Sequence, residues 1–278
     1  MNLIDRLAML RKSLFSHLEN WFLGMKRIGF PRRFEIVLTK LMGVERRIFL
    51  LLESLNARFS LIGNEPFFES GTFPWVRDLE SRWTVIRHEL DTVLDMLNEL
   101  PNVGKLQGFS NAQDDVWKMF ILYGYGHKNQ ASCDQCPQTA AAIERIPGMT
   151  TALFSILGPH KHIPCHRGPY NGFIRYHLGL KVPQSGACLI RVGSSYGRWE
   201  EGKSLIFDDS LNHEVWNATN EYRVVLFMDV NRPLPFPLSL VNRLAIKRVA
   251  YWPSIRHGRA SYQMWEAQQA ESGKPHQS

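Results

Sequence analysis

From about residue 150 to 230 the chain is cut into short apolar runs by Gly, Pro and Asp, and this texture limits the possible folds more than any other feature. Stretches near 151–157, 173–180, 187–192, 204–207 and 222–230 read as strands, and 116–123 (VWKMFILY) as a further buried one. Several short strands with turn signals between them suggest a β-sandwich or barrel. Helical periodicity brackets the block. Leu3, Leu7, Leu10, Leu14, Leu18 and Trp21 recur at three- and four-residue steps over 2–23, a second helical stretch covers 33–59, and Leu79, Trp83, Ile86, Leu90, Val93 and Leu97 share a face over 77–99. Residues 63–76, with their Gly and Pro, read as a loop, and 124–136 as a polar loop. Pro137 opens a short helix over 137–146, and 240–270 form a basic helical tail with a polar, disordered end. The expected organisation is a basic helical extension over 1–62, a β-rich domain over 63–235 and the tail over 236–278.

Charge is unevenly placed. Residues 1–60 hold eleven Lys or Arg against five Asp or Glu, while the whole chain carries a net charge of +7, so the body is nearly neutral. A basic helical segment with a Leu/Trp stripe is either a brace on the main domain or a contact for an anionic membrane surface. Nucleic acid is not the expected partner. The most apolar run, Ile48–Leu52, is bounded by Arg47 and Glu53 and is far too short to span a bilayer. No secretory signal order is visible, and four cysteines demand no oxidising compartment. The expectation is a cytoplasmic protein, peripheral at most on the inner face of a membrane. Cys133 and Cys136 form a C-x-x-C with no second ligand pair, so an idle reduced pair is expected rather than a zinc site.

Five of the ten histidines, His160, His162, His166, His177 and His213, fall inside the β block. Each buried imidazole there must be hydrated, paired or metal-bound. His166 opens the turn HRGP before one strand, and His213 follows FDDSLN after another. Strand ends converging at one barrel mouth can bring two such imidazoles together. Two His and a carboxylate on one face are the usual ligands of non-haem Fe(II) oxygenases. The carboxylate would stand two residues after the first His. Gly168 stands there instead, leaving that coordination position to water or co-substrate, and an Asp at 168 is expected to tighten metal binding. Arg223 lies in a strand otherwise made of Val, Leu, Phe and Met, and a buried Arg needs an anionic partner. A dicarboxylate such as 2-oxoglutarate would suit its fork. Arg175 and His177 alternate in GFIRYHLGL and share a face. Glu214, Asp208 and Asp209 are close enough in sequence to pair with these bases, in which case the group is a structural ion-pair network.

The ordered stretches HRGPYNGFIRYHLGLKVP, RWEEGKSLIFDDSLNHEVWN and YRVVLFMDVNRP, with the upstream LESRWTVIRHEL and CPQTAAAIERIPG, resemble the aspartyl/asparaginyl β-hydroxylase family over roughly 64–235. The resemblance implies an α+β protein whose core is a double-stranded β-helix (jelly roll), with helical extensions at both ends. It implies Fe(II), with 2-oxoglutarate and O2 as co-substrates. His166 and His213 match the iron ligands. Arg223, helped by Ser155, matches the group holding the far carboxylate of 2-oxoglutarate, and Arg175 and His177 match residues near its metal-binding end. The Gly168 departure is shared with the protein-hydroxylating branch. That branch, however, grips its substrate carboxylate with an Arg where this chain has Phe173. The neighbourhood PYNGFIRYHLGL and the upstream VWKMFILYGYG are similar to the lipid A acyl-chain hydroxylases, which usually carry Asp at the Gly168 position. Three readings stay open: a hydroxylase of a peptidyl or free amino acid or related small molecule, a hydroxylase of a lipid acyl chain, and a barrel that binds without turnover.

Overall fold

The computed structural model describes residues 32–103 and 116–271; the helix expected over 2–23 and the polar end of the tail lie outside the described residues. Eight strands form the barrel: β4 (Met149–Leu157), β5 (Lys161–His166), β6 (Phe173–Lys181), β7 (Cys188–Val192), β8 (Ser195–Arg198), β9 (Ser204–Phe207), β10 (His213–Asn217) and β11 (Arg223–Asn231). β4 pairs with β11, β5 with β10, β6 with β9 and β7 with β8, all antiparallel. This is one long hairpin paired from its outer strands inward. The pairs β6–β11 and β7–β10 complete two sheets. The larger sheet has the order β1-β9-β6-β11-β4-β2-β3, with β1 (Phe67–Phe68), β2 (Trp117–Gly124) and β3 (His127–Lys128); the smaller is β5-β10-β7-β8. That strand order is the double-stranded β-helix, which has no long exposed edge between its two sheets.

The two-residue period of a strand decides what lies inside. Val224, Leu226, Met228 and Val230 on β11, and Ile174, Tyr176 and Leu178 on β6, face outward into a core completed by helices. Those helices are α2 (Val76–Ser81), α3 (Trp83–Asp95), α4 (Gln130–Gln135) and α5 (Pro137–Ile143), which bring Leu79, Ile86, Leu90, Val93 and Ile143. Each such side chain, fully buried, contributes about 1.5–3 kcal/mol. The opposite parity, Val225 and Phe227 with Leu157, Val192, Phe207 and Val215, packs inside the barrel. Arg223, Arg175 and His177 share that inward parity. The sequence therefore aims three basic groups into an apolar interior.

Two more helices, α6 (Leu238–Val249) and α7 (Pro253–Glu271), follow the barrel, and α1 (Arg32–Arg58) precedes it. Phe49 of α1 meets Ala245, Ile246 and Val249 of α6, together with Tyr170 and Phe173 at the barrel rim. The helix expected over 77–99 is broken at Arg82, whose φ of −97° and ψ of 3° end α2 and start α3. The loop expected over 63–76 carries β1, whose Phe67 pairs with Phe207. The polar loop over 124–136 contains β3 and α4, because Asn129 caps α4 by accepting from Ser132 N at 3.1 Å. Cys133 and Cys136 are free and buried, and burial raises their thiols to about 11 and about 12.

Candidate functional site

His166 ends β5 and His213 begins β10, and the two are register partners across the smaller sheet. Their ring centroids are 4.1 Å apart. Each Nδ1 faces a main-chain carbonyl two residues earlier: Pro164 O at 2.8 Å for His166, and Leu211 O at 3.0 Å for His213. A carbonyl only accepts, so the proton sits on Nδ1 and the lone pair on Nε2. Burial, then His166 and Arg175, hold the His213 imidazole well below its usual pKa. The neutral form that results is the one that binds metals.

The space beside Gly168 is not open, which corrects the expectation for that position. A Cβ on Gly168 would lie 1.7 Å from Asp209 Oδ2. Gly168 N also donates to Asp209 O at 2.8 Å, fixing the two turns together. Asp209 thus brings a carboxylate from the β9–β10 turn into the place a residue-168 side chain would take. Its Oδ1 is 3.3 Å from His213 Nε2 and also pairs with Arg175 Nη1. The adjacent Asp208 faces the other way, pairing with the buried Arg232 and accepting from Ser210 N at 3.0 Å.

Arg175 is fully engaged. Nε and Nη2 donate to Asp229 at 2.9 and 3.2 Å, and the guanidinium lies 4.2 Å from the Phe227 ring. Burial works against its charge, but Asp209 and Asp229 outweigh that and raise its pKa. Arg175 therefore holds Asp209 in position. Asp229 is its cross-strand register partner.

Deeper in the barrel the accounting changes. Trp199 Nε1 donates to His177 Nδ1 at 3.1 Å, which places the His177 proton on Nε2. That Nε2 is buried and makes no hydrogen bond. Burial, then Arg223 and Arg175, keep the ring neutral. Arg223 is 2% exposed, yet its Nε and Nη1 have no partner. Its guanidinium lies 4.6 Å from the Trp199 ring, and burial lowers its pKa to about 10. Ser155 on the neighbouring β4 is in register with Val225, and its Oγ accepts from Trp117 Nε1 at 3.2 Å. A buried guanidinium and an N–H donor, both unpartnered in an apolar chamber, make a site for an anion.

Among the described residues no group of three or more His, Cys, Asp or Glu is disposed to hold a metal by itself. The protein's own offer is two imidazoles, with a neighbouring carboxylate tied to Arg175. Of the five clustered histidines, His160 goes to Asn220 and His162 to Glu214, both at 2.8 Å and both at the exterior. Glu214 also pairs with Arg191, away from the chamber. Trp199 and Asp229 were not legible as site residues. The pairing of Asp229 depends on strand register, and that of Trp199 on a loop approach.

The family model described as aspartyl/asparaginyl β-hydroxylase matches residues 80–233. The chain is 44% identical over 217 residues to the ornithine lipid ester-linked acyl 2-hydroxylase of Rhizobium tropici, covering 77% of each chain. It is 35% identical over 176 residues to human aspartyl/asparaginyl β-hydroxylase, covering 59% of this chain but only 22% of that protein. It is 30% identical over 201 residues to human aspartate β-hydroxylase domain-containing protein 2, covering 64% of this chain and 53% of the other. The matched span holds the eight barrel strands, both facing histidines and the unpartnered Arg223. With more than half of its length inside that match, the chain belongs to the aspartyl/asparaginyl β-hydroxylase family.

Proposed function

We propose that this chain is an Fe(II)- and 2-oxoglutarate-dependent dioxygenase that hydroxylates a lipid acyl chain. The observation that carries the co-substrate half is Arg223, a buried guanidinium with two unpartnered nitrogens at the floor of the chamber. The residues fit the implied groups. His166 and His213 would hold the iron through Nε2, since both Nδ1 atoms are already committed to carbonyls. When bound, iron and 2-oxoglutarate supply the oxidising chemistry that inserts oxygen from O2 into a C–H bond. Arg223 would take the far carboxylate of 2-oxoglutarate, with Ser155 Oγ beside it. His177 would donate from Nε2 to an oxygen of the same molecule. Arg175 pairs with Asp209 and holds that carboxylate close to His213, where a cation would sit. Val192, Val215, Phe207 and Phe227 pack as the apolar interior of the barrel, surroundings that favour a dry site.

The acyl-chain substrate is favoured by two observations. The relative named as a lipid acyl hydroxylase matches over most of both chains. Phe173, at the position where the protein-hydroxylating branch carries its carboxylate-gripping Arg, packs instead against Tyr125 and Tyr170. A second reading, hydroxylation of a peptidyl or free amino acid, is favoured by the match to the human aspartyl/asparaginyl enzyme. The test is succinate release from 2-oxoglutarate by the purified protein with Fe(II), offered acyl lipids, Asp- or Asn-containing peptides, or free amino acids. Lipid-stimulated succinate with an added oxygen on the acyl chain is the expected result. Stimulation by peptide alone would select the second reading. No turnover with any substrate, despite metal and 2-oxoglutarate binding, would leave a non-catalytic barrel.

A further inference from the structure

The outer faces of α1 and α6 are unusually apolar for a surface. Val44, Ile48 and Leu51 of α1 are 54%, 52% and 60% exposed, and Leu244 of α6 is 59% exposed. Leu240 and Val241 add to the α6 face, and Phe236, just before that helix, is 82% exposed. Val44, Ile48 and Leu52 on one helix and Val241 and Leu244 on the other line a single groove. Scattered exposed leucines need no explanation, but a contiguous apolar face does.

Charge decides what fits it. α6 contains Arg243, Lys247 and Arg248, all exposed, and no acidic residue. Arg47 is exposed on α1. The acid in the groove, Glu45, is already paired with Arg248 at 3.1 Å. A second copy would set one basic face against another. Residues 1–31 are basic as well, with five Lys or Arg against two Asp or Glu. An anionic bilayer supplies both the apolar phase and the opposite charge. Among the described residues no helix is long and apolar enough to cross a membrane, so the contact would be interfacial.

The face also lies on the back of the element that holds the barrel mouth. On the opposite side of α1, Glu53 pairs with Arg167 at 2.7 Å and Asn56 donates to Tyr170 Oη at 2.9 Å and Asn171 Oδ1 at 3.1 Å. Those partners belong to the loop directly after His166. We infer that the joined faces of α1 and α6 are a docking surface for an anionic lipid bilayer, holding the barrel mouth about one helix diameter from the membrane. Binding itself does not depend on the chemistry of the barrel; only its service to an acyl substrate rests on the proposed function.

The test is co-sedimentation of the full chain with phosphatidylglycerol-containing vesicles and with phosphatidylcholine vesicles. Two double variants, Ile48→Glu with Leu244→Glu and Arg243→Glu with Lys247→Glu, change exposed side chains only, and circular dichroism checks their folding. The wild type should bind the anionic vesicles, and each variant should lose about tenfold or more of that binding. Binding within twofold of wild type in both variants would overturn the surface. A wild-type dimer that the Ile48→Glu/Leu244→Glu variant dissolves would assign the face to a second copy instead. Absent wild-type binding would overturn the proposal in favour of coverage by residues 1–31. Succinate release measured on the same lipid in detergent separates the two ideas. Vesicle binding without turnover would sink the lipid-hydroxylase reading alone, and turnover in detergent without vesicle binding would sink the docking face alone.

Discussion

Burying an ion without a counter-charge costs several kcal/mol even after the surroundings relax. Arg223 keeps Nε and Nη1 unpartnered in the barrel, so its position destabilises the empty protein. That gives a signature separating a ligand anchor from a structural ion pair. Arg223→Ala should weaken 2-oxoglutarate binding by about 2–5 kcal/mol, as when one partner of a buried charge pair is truncated. The same change should leave the melting temperature of the ligand-free protein unchanged or higher. A drop in that temperature with unaltered 2-oxoglutarate affinity would make Arg223 structural. Arg223→Lys should restore binding only in part, because an ammonium lacks the two-point fork. Gly168 yields a second prediction, opposite to the one its sequence position suggests. A Cβ there collides with Asp209, so Gly168→Ala and Gly168→Asp should both displace that carboxylate and weaken metal binding, at about 1–3 kcal/mol of stability. Tighter metal binding by Gly168→Asp, read by metal titration, would show that Asp209 yields its place without loss. His177 and Arg223 stand out in the sequence as polar groups on apolar strands, and His166 and His213 as histidines beside the turns HRGP and FDDSLN. Asp209 was visible only as a nearby acid, because its direction depends on the turn after β9.

At the level of elements, legibility followed burial. β4, β6 and β11 are nearly continuous apolar runs, because both of their faces are covered, and their bounds are close to those expected from the sequence. β5, β8 and β10 do not stand out in the sequence. In β5 only Ile163 is buried, and KHIPCH has too little alternation to stand out from a loop. The smaller sheet has one face open to solvent, which leaves half of each short strand polar. α1 shows the reverse relation, a recognisable helix whose job is hidden. It braces the loop after His166 through Glu53, whose pKa is raised by burial against the lowering effect of Arg167. An acid with a raised folded pKa binds its proton more tightly folded than unfolded. Its contribution to stability is therefore greatest at low pH and falls as pH rises from about 4.5 through the folded value. Glu53→Gln mimics the protonated form. The melting temperature of that variant, relative to wild type, should be higher at pH 8 than at pH 4. A difference moving the other way would mean that the pairing with Arg167 outweighs the burial.

For the whole molecule, the proposed function gives the barrel two guests held by two separate sets of groups, and thermal stability can resolve them. The metal would be held at the mouth by His166 and His213, and the dicarboxylate would reach from there to Arg223 at the floor. A ligand that binds only the folded state stabilises it by about 2.7 kcal/mol at a hundredfold excess over its Kd. For a domain of this size, each kcal/mol is worth about 2–4 °C in melting temperature. Mn(II), a redox-quiet substitute for Fe(II), should therefore raise the melting temperature by several degrees, and 2-oxoglutarate should raise it further when Mn(II) is present. In the Arg223→Ala protein the Mn(II) increment should survive and the 2-oxoglutarate increment should vanish. In the His213→Ala protein both should vanish, because a single imidazole remains and the dicarboxylate loses its metal-binding end. The readout needs no turnover, so it tests the binding architecture apart from the substrate. Retention of the full Mn(II) increment in His213→Ala would move the metal away from the facing histidines. Loss of both increments in Arg223→Ala would mean that the mouth and the floor are one cooperative unit rather than two sites.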